Sequence, residues 1–261
     1  PAVIDGYIYV RAGDILYKFD ADTGEEIKSV PSRTIVAYYL YLGTGGGTVF
    51  DYATGKVYDT NLNLLYESEK KFTAAFYDSG YYYGLITERT GASPITKLYK
   101  MEAITGNLVD VGSWKNGVEV NWFGIYGTTS APVFNDGFIY FIEARTDSDL
   151  RCVSAINLSD ASKTTVQLTT QSGRLLDDGW LTCTNYGGRT ILFLTTYSKG
   201  LFDYDGEFKT GSITGILVNK DGTLGDSTRI IDVYTQEGSL SAFIVFNGRG
   251  YLAGSHMNVV D

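Results

Sequence analysis

Asp177 and Asp178 stand side by side, two residues before Trp180. Two carboxylates beside an aromatic ring are the parts of a glycoside-cleaving site: an acid, a base or nucleophile, and a flat surface for sugar. Adjacent residues on a turn diverge, however, and Asp177-Asp178-Gly179 is first of all a turn sequence. Arg89, Glu143, Arg145 and Arg174, with Trp122 and Tyr204, extend the set toward binding a polar ligand such as a glycan or a peptide. Rings supply apolar area, and Arg and Asp supply directional hydrogen bonds. The plainer account is that these charges solvate long loops and the aromatics anchor them.

Other chemistries lack their residues. Asp20-Ala21-Asp22 and Asp203-Tyr204-Asp205-Gly206 look like pieces of a Ca²⁺ loop, but no spaced Glu follows, so turn chemistry is expected. Gly43-Thr44-Gly45-Gly46-Gly47 is glycine-rich, yet neither Lys-Ser/Thr nor a helical pattern follows, which argues against a phosphate loop. The single histidine, His256, lies in Gly254-Ser255-His256-Met257, a tetrapeptide of the kind tag cleavage leaves, and receives no role. Without another histidine, nucleophilic triads and zinc sites have no basis. Cys152 and Cys183 read as small buried apolar side chains, with a disulfide left open. No metal and no cofactor is expected.

The elements that must position the candidate residues are strands. Ala131 to Phe134, the triplet Asn135-Asp136-Gly137, and Phe138 to Ile142 form a hairpin signal, since Asn, Asp and Gly tolerate positive φ. A polar loop and the segment Cys152 to Asn157 follow. This strand–turn–strand–loop–strand unit can be traced six times. The polar residue closing each third strand marks the period: Asp20, Asp59, Glu102, Asn157, Asn219 and Asp261. Four short strands per unit at this spacing predict an all-β β-propeller, most simply of six four-stranded antiparallel blades. A lone four-stranded sheet leaves a face unburied, so blades must stack. The blades are expected at about 1–30, 31–69, 70–114, 130–168, 178–233 and 239–261, in a single domain spanning 1–261, the last blade lacking its fourth strand.

In such a blade the loop between strands two and three lies at the same end as the link to the next blade. That loop is short in blades one, two and six. It is expected to lengthen in blades three to five, over Thr87 to Thr96, Glu143 to Arg151 and Thr196 to Ser212, and the links Lys115 to Ser130 and Thr169 to Asp178 are long too. Extra loop on one sector of one rim is where binding is expected.

Bulk properties narrow the partners. A net charge of −9 repels phosphate backbones, so nucleic acid is not an expected partner. No apolar run approaches the roughly 18 residues of a membrane span. No charged start precedes an apolar core, so no signal peptide is expected, and a first residue of Pro1 implies a processed or trimmed chain.

Tyr17 to Gly24, Tyr99 to Gly106 and Ser130 to Tyr140 resemble the PQQ-like (quinoprotein-type) propeller repeat. That repeat pairs a Pro-apolar-apolar, Asp-Gly, apolar-Tyr hairpin with a Leu-Tyr-x-Leu-Asp-x-x-Thr-Gly hairpin. The resemblance covers nearly the whole chain in degenerate form. It implies a propeller and, for some members, a dehydrogenase carrying the quinone and Ca²⁺. This chain is shorter than the eight-bladed enzymes, has no vicinal cysteine pair, and keeps the Trp that ends the fourth strand only as Trp114. The resemblance therefore implies the non-enzymatic scaffold branch: a binding protein of the bacterial cell surface, periplasm or secreted fraction, engaging protein or glycan. A carbohydrate-active enzyme is the alternative, with a quinone-dependent dehydrogenase further behind.

Overall fold

The computed structural model describes residues 2–33, 42–72, 74–90, 93–115, 118–119, 132–145, 151–167, 178–197, 209–235, 242–246, 249–253 and 258–260. The regular structure among them is strand, in six antiparallel sheets. The first runs β1 (Ala2–Ile4), β2 (Tyr7–Ala12), β3 (Ile15–Asp20), β4 (Glu26–Pro31). The second runs β5 (Gly43–Gly45), β6 (Thr48–Asp51), β7 (Lys56–Asp59), β8 (Leu64–Glu67). The third runs β9 (Ala74–Asp78), β10 (Tyr81–Thr90), β11 (Ser93–Glu102), β12 (Leu108–Lys115). The fourth contains β13 (Val118–Glu119), β14 (Val133–Asn135), β15 (Phe138–Arg145), β16 (Arg151–Asn157) and β17 (Lys163–Gln167), with β13 and β14 both paired to β15. The fifth holds β18 (Asp178–Tyr186), β19 (Arg189–Tyr197), β20 (Lys209–Val218), β21 (Leu224–Thr235), and the sixth β22 (Ala242–Phe246), β23 (Arg249–Ala253), β24 (Asn258–Val260). Each strand pairs with its sequence neighbour, save that β13 joins the fourth sheet at β15. The sixth sheet has three strands, as the sequence predicts.

The chain divides into two compact units, Pro1–Thr90 with Ile95–Trp114, and Gly91–Pro94 with Lys115–Asp261. Within each, first strands meet in series: β1 packs on β5 and β5 on β9 in one unit, β14 on β18 and β18 on β22 in the other.

Turn chemistry sets the sheets. Asp5-Gly6, Ser79-Gly80 and Asp136-Gly137 have positive φ at both residues, the primed geometry whose twist suits a two-residue hairpin. The second tight turn is closed by the carboxylate the sequence flags. Asp20 Oδ1 accepts from the backbone N–H groups of Asp22 (3.0 Å) and Thr23 (2.8 Å), and Asp59 Oδ1 from those of Asn61 and Asn63 (both 2.8 Å). These bonds hold both carboxyls below the ordinary 3.8; at Asp20 the Thr23 bond contributes most, and at Asp59 burial pulls the other way and loses. The expected turn reading of Asp20-Ala21-Asp22 therefore stands.

Sheets bury their faces on one another through an alternating apolar pattern. Tyr9, Leu16, Val49, Tyr58 and Leu62 form a core between sheets one and two. Phe50, Val57, Phe72, Tyr82, Tyr99 and Met101 form one between sheets two and three. Tyr140, Ile142, Val153, Leu181, Leu192, Leu194 and Ile216 form one between sheets four and five. Each large apolar side chain so buried contributes about 1.5–3 kcal/mol. The tyrosine three residues after the hairpin glycine reaches into the next sheet: Tyr9 Oη donates to Thr60 O (2.6 Å), and Tyr140 Oη donates to Gly222 O (3.3 Å). In sheet two that position is Phe50, and Tyr66 of β8 takes over, donating to Glu102 O (3.1 Å) and Ala103 O (2.9 Å).

The glycine-rich segment departs from expectation. Gly43–Gly45 is a strand and only Gly46-Gly47 turns, where the sequence reads Gly43 to Gly47 as the turn after a strand over Ile35 to Leu42; residues 34–41 lie outside the described residues. The ring of Tyr77 lies where a Cβ on Gly45 or Gly46 would be, so these glycines are there for close approach of the third sheet.

Candidate binding site

Strand lengths locate the enlarged end of each sheet. Strands two and three have six residues each in sheet one and four each in sheet two. They have ten and ten in sheet three, eight and seven in sheet four, and nine and ten in sheet five. The expected long loops are thus in good part strand. Thr87 to Thr96 is a hairpin whose arms reach Thr90 and restart at Ser93; of the other two, Glu143 to Arg145 with Arg151 and Thr196 to Tyr197 with Lys209 to Ser212 are strand, and residues 146–150 and 198–208 lie outside the described residues. The reason is register: Thr, Tyr and Ile in these arms suit a pleated surface, and each added pair satisfies two backbone groups.

The candidate residues move accordingly. Arg89 is on β10, Glu143 and Arg145 on β15, and Asp178 and Trp180 on β18. Asp178 opens a strand, in register with Tyr197, where the sequence reads a turn; Trp180 stands opposite Thr195. Glu143 stands opposite Cys152, and Arg145 opposite Val118 of β13, a strand formed within the expected link. Trp122, Arg174, Asp177 and Tyr204 lie outside the described residues. The structure therefore brings Asp178 and Trp180 to one sheet end and Glu143 and Arg145 to another.

In sheet five the register forms three rows at this end. Asp178, Tyr197, Gly211 and Val233 form the outermost; Gly179, Thr196, Ser212 and Asp232 the next; Trp180, Thr195, Ile213 and Ile231 the third. Just inside the third row a bulge between Ile213 and Thr214 leaves Ile230 as the extra residue. Leu181, Leu194 and Ile216 pack against sheet four, so alternation puts the first and third rows on the opposite face. There Phe193, Thr195 and Ile213 are buried, and β22 packs against β18 and β19. Thr195 Oγ1 is buried without a hydrogen-bond partner among the described residues.

A second polar feature, at the corresponding end of sheets one and two, escapes the sequence analysis. Arg11 near the end of β2 and Asp51 at the end of β6 form an ion pair, Nη1 to Oδ1 at 3.3 Å, with both side chains fully buried. Arg11 Nη2 donates to Ser32 O (2.8 Å), Ser32 Oγ donates to Asp51 Oδ2, and Ser32 N donates to Asp14 O (2.7 Å). Thr54 N donates to Asp51 Oδ1 (3.3 Å). Arg11 Nε has no partner among the described residues. Tyr58 adjoins the cluster; burial raises its hydroxyl, against a Ser32 hydrogen bond that lowers it. Closed to solvent, the cluster clamps the chain where it leaves sheet one. A strand-internal Arg at a position alternation assigns to the core was the available signal.

Cys183 is a free thiol in the core between sheets four and five, and burial pushes it up to about 11, in keeping with its expected packing role. No cluster of three metal-ligating side chains occurs among the described residues. No helix among them is long and apolar enough to cross a membrane.

No family model matches the chain, and no curated protein matches it. Solved structures do. An oligogalacturonate lyase in complex with manganese superposes with a TM-score of 0.51 at 13% identity, over 92% of this chain and 64% of the lyase. A protein of unknown function from Bacteroides caccae gives 0.46 at 9% identity over 95% and 82%, and Drosophila semaphorin 1a, extracellular domains 1–2, gives 0.48 at 9% over 94% and 68%. With its serial four-stranded meanders, the chain is an all-β protein of β-propeller type. The finer PQQ-like assignment finds no matching family model.

Proposed function

We propose that the chain is one non-catalytic propeller domain of an exported or cell-surface bacterial protein, binding a protein or glycan ligand through the strand-two/strand-three ends of blades three to five. The carrying observation is selective growth. Those hairpin arms lengthen in sheets three, four and five, while the Asp5-Gly6, Ser79-Gly80 and Asp136-Gly137 turns stay at two residues. Sheet cores do not need such extensions, since sheets one and two pack with arms of six and four residues. Arg89, Glu143 and Arg145 on the arms, Asp178 and Trp180 on the neighbouring β18, and Arg174, Asp177, Trp122 and Tyr204 in the adjoining segments would supply charge and rings for a polar ligand. Shortening the hairpins, as argued below, tests this.

The alternative is a carbohydrate-active enzyme using Asp177 and Asp178, favoured by the likeness to the lyase. Incubation with a glycan panel and assay for released reducing ends separates the two. Binding without turnover supports the first reading; turnover lost in Asp177→Asn or Asp178→Asn supports the second. A quinone-dependent dehydrogenase stands behind both. It would be sunk by an unchanged absorbance spectrum on adding PQQ and Ca²⁺.

A further inference from the structure

We infer that Ile27, Leu65 and Val109, on the fourth strands of sheets one to three, form a docking surface for a basic protein partner. These strands are the sheet edges farthest from the first strands, which meet in series. The surface lies beside the tight turns, at the other end from the hairpin arms, and does not depend on what the arms bind.

The repeat carries the placement. In each sheet the residue closing strand three donates its N–H across the turn: Asp20 to Glu25 O, Asp59 to Asn63 O, Glu102 to Asn107 O. Two residues further on stand Ile27, Leu65 and Val109, which are 50%, 44% and 58% exposed. Ile27 and Leu65 are the extra residues of bulges: Lys18 and Phe19 pair with Lys28 and Glu26, and Val57 and Tyr58 with Tyr66 and Leu64. The next residue along reaches the following sheet. Lys28 Nζ donates to Asn61 O (2.6 Å) and Asn63 Oδ1 (3.0 Å), just before Leu64, and Tyr66 Oη donates to Glu102 O and Ala103 O, just before Ile104. Leu64 and Ile104 are themselves exposed and widen the row.

The fold does not demand this. The corresponding residues of sheets four and five, two beyond Ser162 and Thr223, are Thr164 and Gly225. Single exposed apolar side chains are ordinary, but a row of them rimmed by charge marks an interaction surface. Edge bulges also interrupt regular strand pairing, so the partner docks against side chains instead of adding a strand.

The surrounding charges say what covers the row. Glu26 precedes Ile27, Asp110 follows Val109, and Glu67 lies two residues beyond Leu65, all exposed. Lys28 is the one cation among the described side chains of these strands, and its ammonium is spent on Asn61 and Asn63. A second copy would bring the same carboxylates to the contact, and an anionic lipid surface would add negative charge to a chain already at −9. The fitting partner is a protein surface with apolar side chains set among Lys and Arg.

The test titrates the whole chain, by fluorescence anisotropy, into a labelled amphipathic helical peptide of Leu and Lys. Two further peptides carry Glu in place of Lys, or Ser in place of Leu. Binding of the Leu/Lys peptide is expected, weakened by salt and weakened on the order of tenfold by Ile27→Gln, Leu65→Gln and Val109→Gln together. Leu65→Gln alone, with part of that loss, keeps the test valid should the triple variant fail to fold by circular dichroism. Ile15→Gln, at an exposed apolar residue opening β3, should bind as the native chain does. Absence of Leu/Lys binding, or binding that survives the changes in the row, overturns the proposal, as does equal binding of the Lys/Ser peptide. Tighter binding of the Leu/Glu peptide overturns the charge argument. Self-association of the chain in sedimentation, abolished by Leu65→Gln, would give the row to a second copy and overturn the basic partner.

Discussion

Removing one charge of the Arg11–Asp51 pair strands the other in a site closed to solvent. Asp51→Ala or Arg11→Met should therefore cost about 3–5 kcal/mol, measured as the change in urea midpoint at constant slope. Changing both residues tests what the pair itself is worth. Positions five after Gly137 and four after Gly188, which correspond to Arg11 and Asp51, hold Ile142 and Leu192, so an apolar pair is a working solution at this place in the repeat. Arg11→Met with Asp51→Leu should recover most of the loss, leaving Ser32 to find a new acceptor. A double variant as unstable as the worse single one would mean the Ser32 bonds, and not the charges, dominate. Asp20 gives a second prediction at this scale. Its folded value lies below the unfolded 3.8, so its turn bonds stabilise the chain fully above that value and lose their effect as pH falls through the lowered one. The melting temperature of Asp20→Asn should lie below that of the native chain at pH 6 and converge with it toward pH 2. A gap that persists at pH 2 would show that the carboxylate charge is not what closes the turn.

The repeated element is the sheet with its two tight turns, and its junction with the next sheet can be tested at Gly222. This residue has φ +79°, and a Cβ there would overlap the ring of Phe138 of the preceding sheet while Tyr140 holds its carbonyl. Gly222→Ala should cost about 1 kcal/mol for the backbone and about 1–3 for the overlap. Adding Phe138→Leu should return the second part only, as coupling in a double-mutant cycle followed by thermal unfolding. Much of this element was legible in the sequence. Asp5-Gly6, Ser79-Gly80 and Asp136-Gly137 announce their turns, and Asp20 and Asp59 cap theirs, because local hydrogen bonding decides such sites. What was hidden depends on partners distant in sequence. Gly43–Gly45 reads as a turn until Tyr77 is seen to lie against it, and Arg11, whose place in the alternation hints at burial, has no visible partner until Asp51, 40 residues away, arrives beside it. The candidate site was half legible. Asp178 and Trp180 were found by type, but not their pairing with Tyr197 and Thr195, since polar hairpin arms carry no apolar alternation to mark them as strand.

Across the whole chain, the cores and the hairpin ends should be separable parts, because sheets one and two already pack with arms of six and four residues. Among the described residues, the core of sheets four and five reaches Ile142 and Val153 on one sheet and Leu181 and Leu194 on the other. Ile142 pairs with Val153, and Thr195 with Ile213, so each hairpin can be closed there by a two-residue turn with no slip of register. Replacing 143–152 by Asn-Gly, or 196–212 by Asn-Gly, keeps every pair below the cut and supplies the primed turn that the right-handed twist favours. The first cut also removes the partners of Val118 and Glu119, which should free β13 with little loss, since a two-residue strand buries little. Each shortened chain should unfold within about 1 kcal/mol of the native one, because shorter loops cost less entropy to close and the core is unchanged. Ligand binding, by contrast, should fall at least tenfold in one or both. A shortened chain that folds and binds as before would remove the hairpins from the site, and one that fails to fold would make them part of the core.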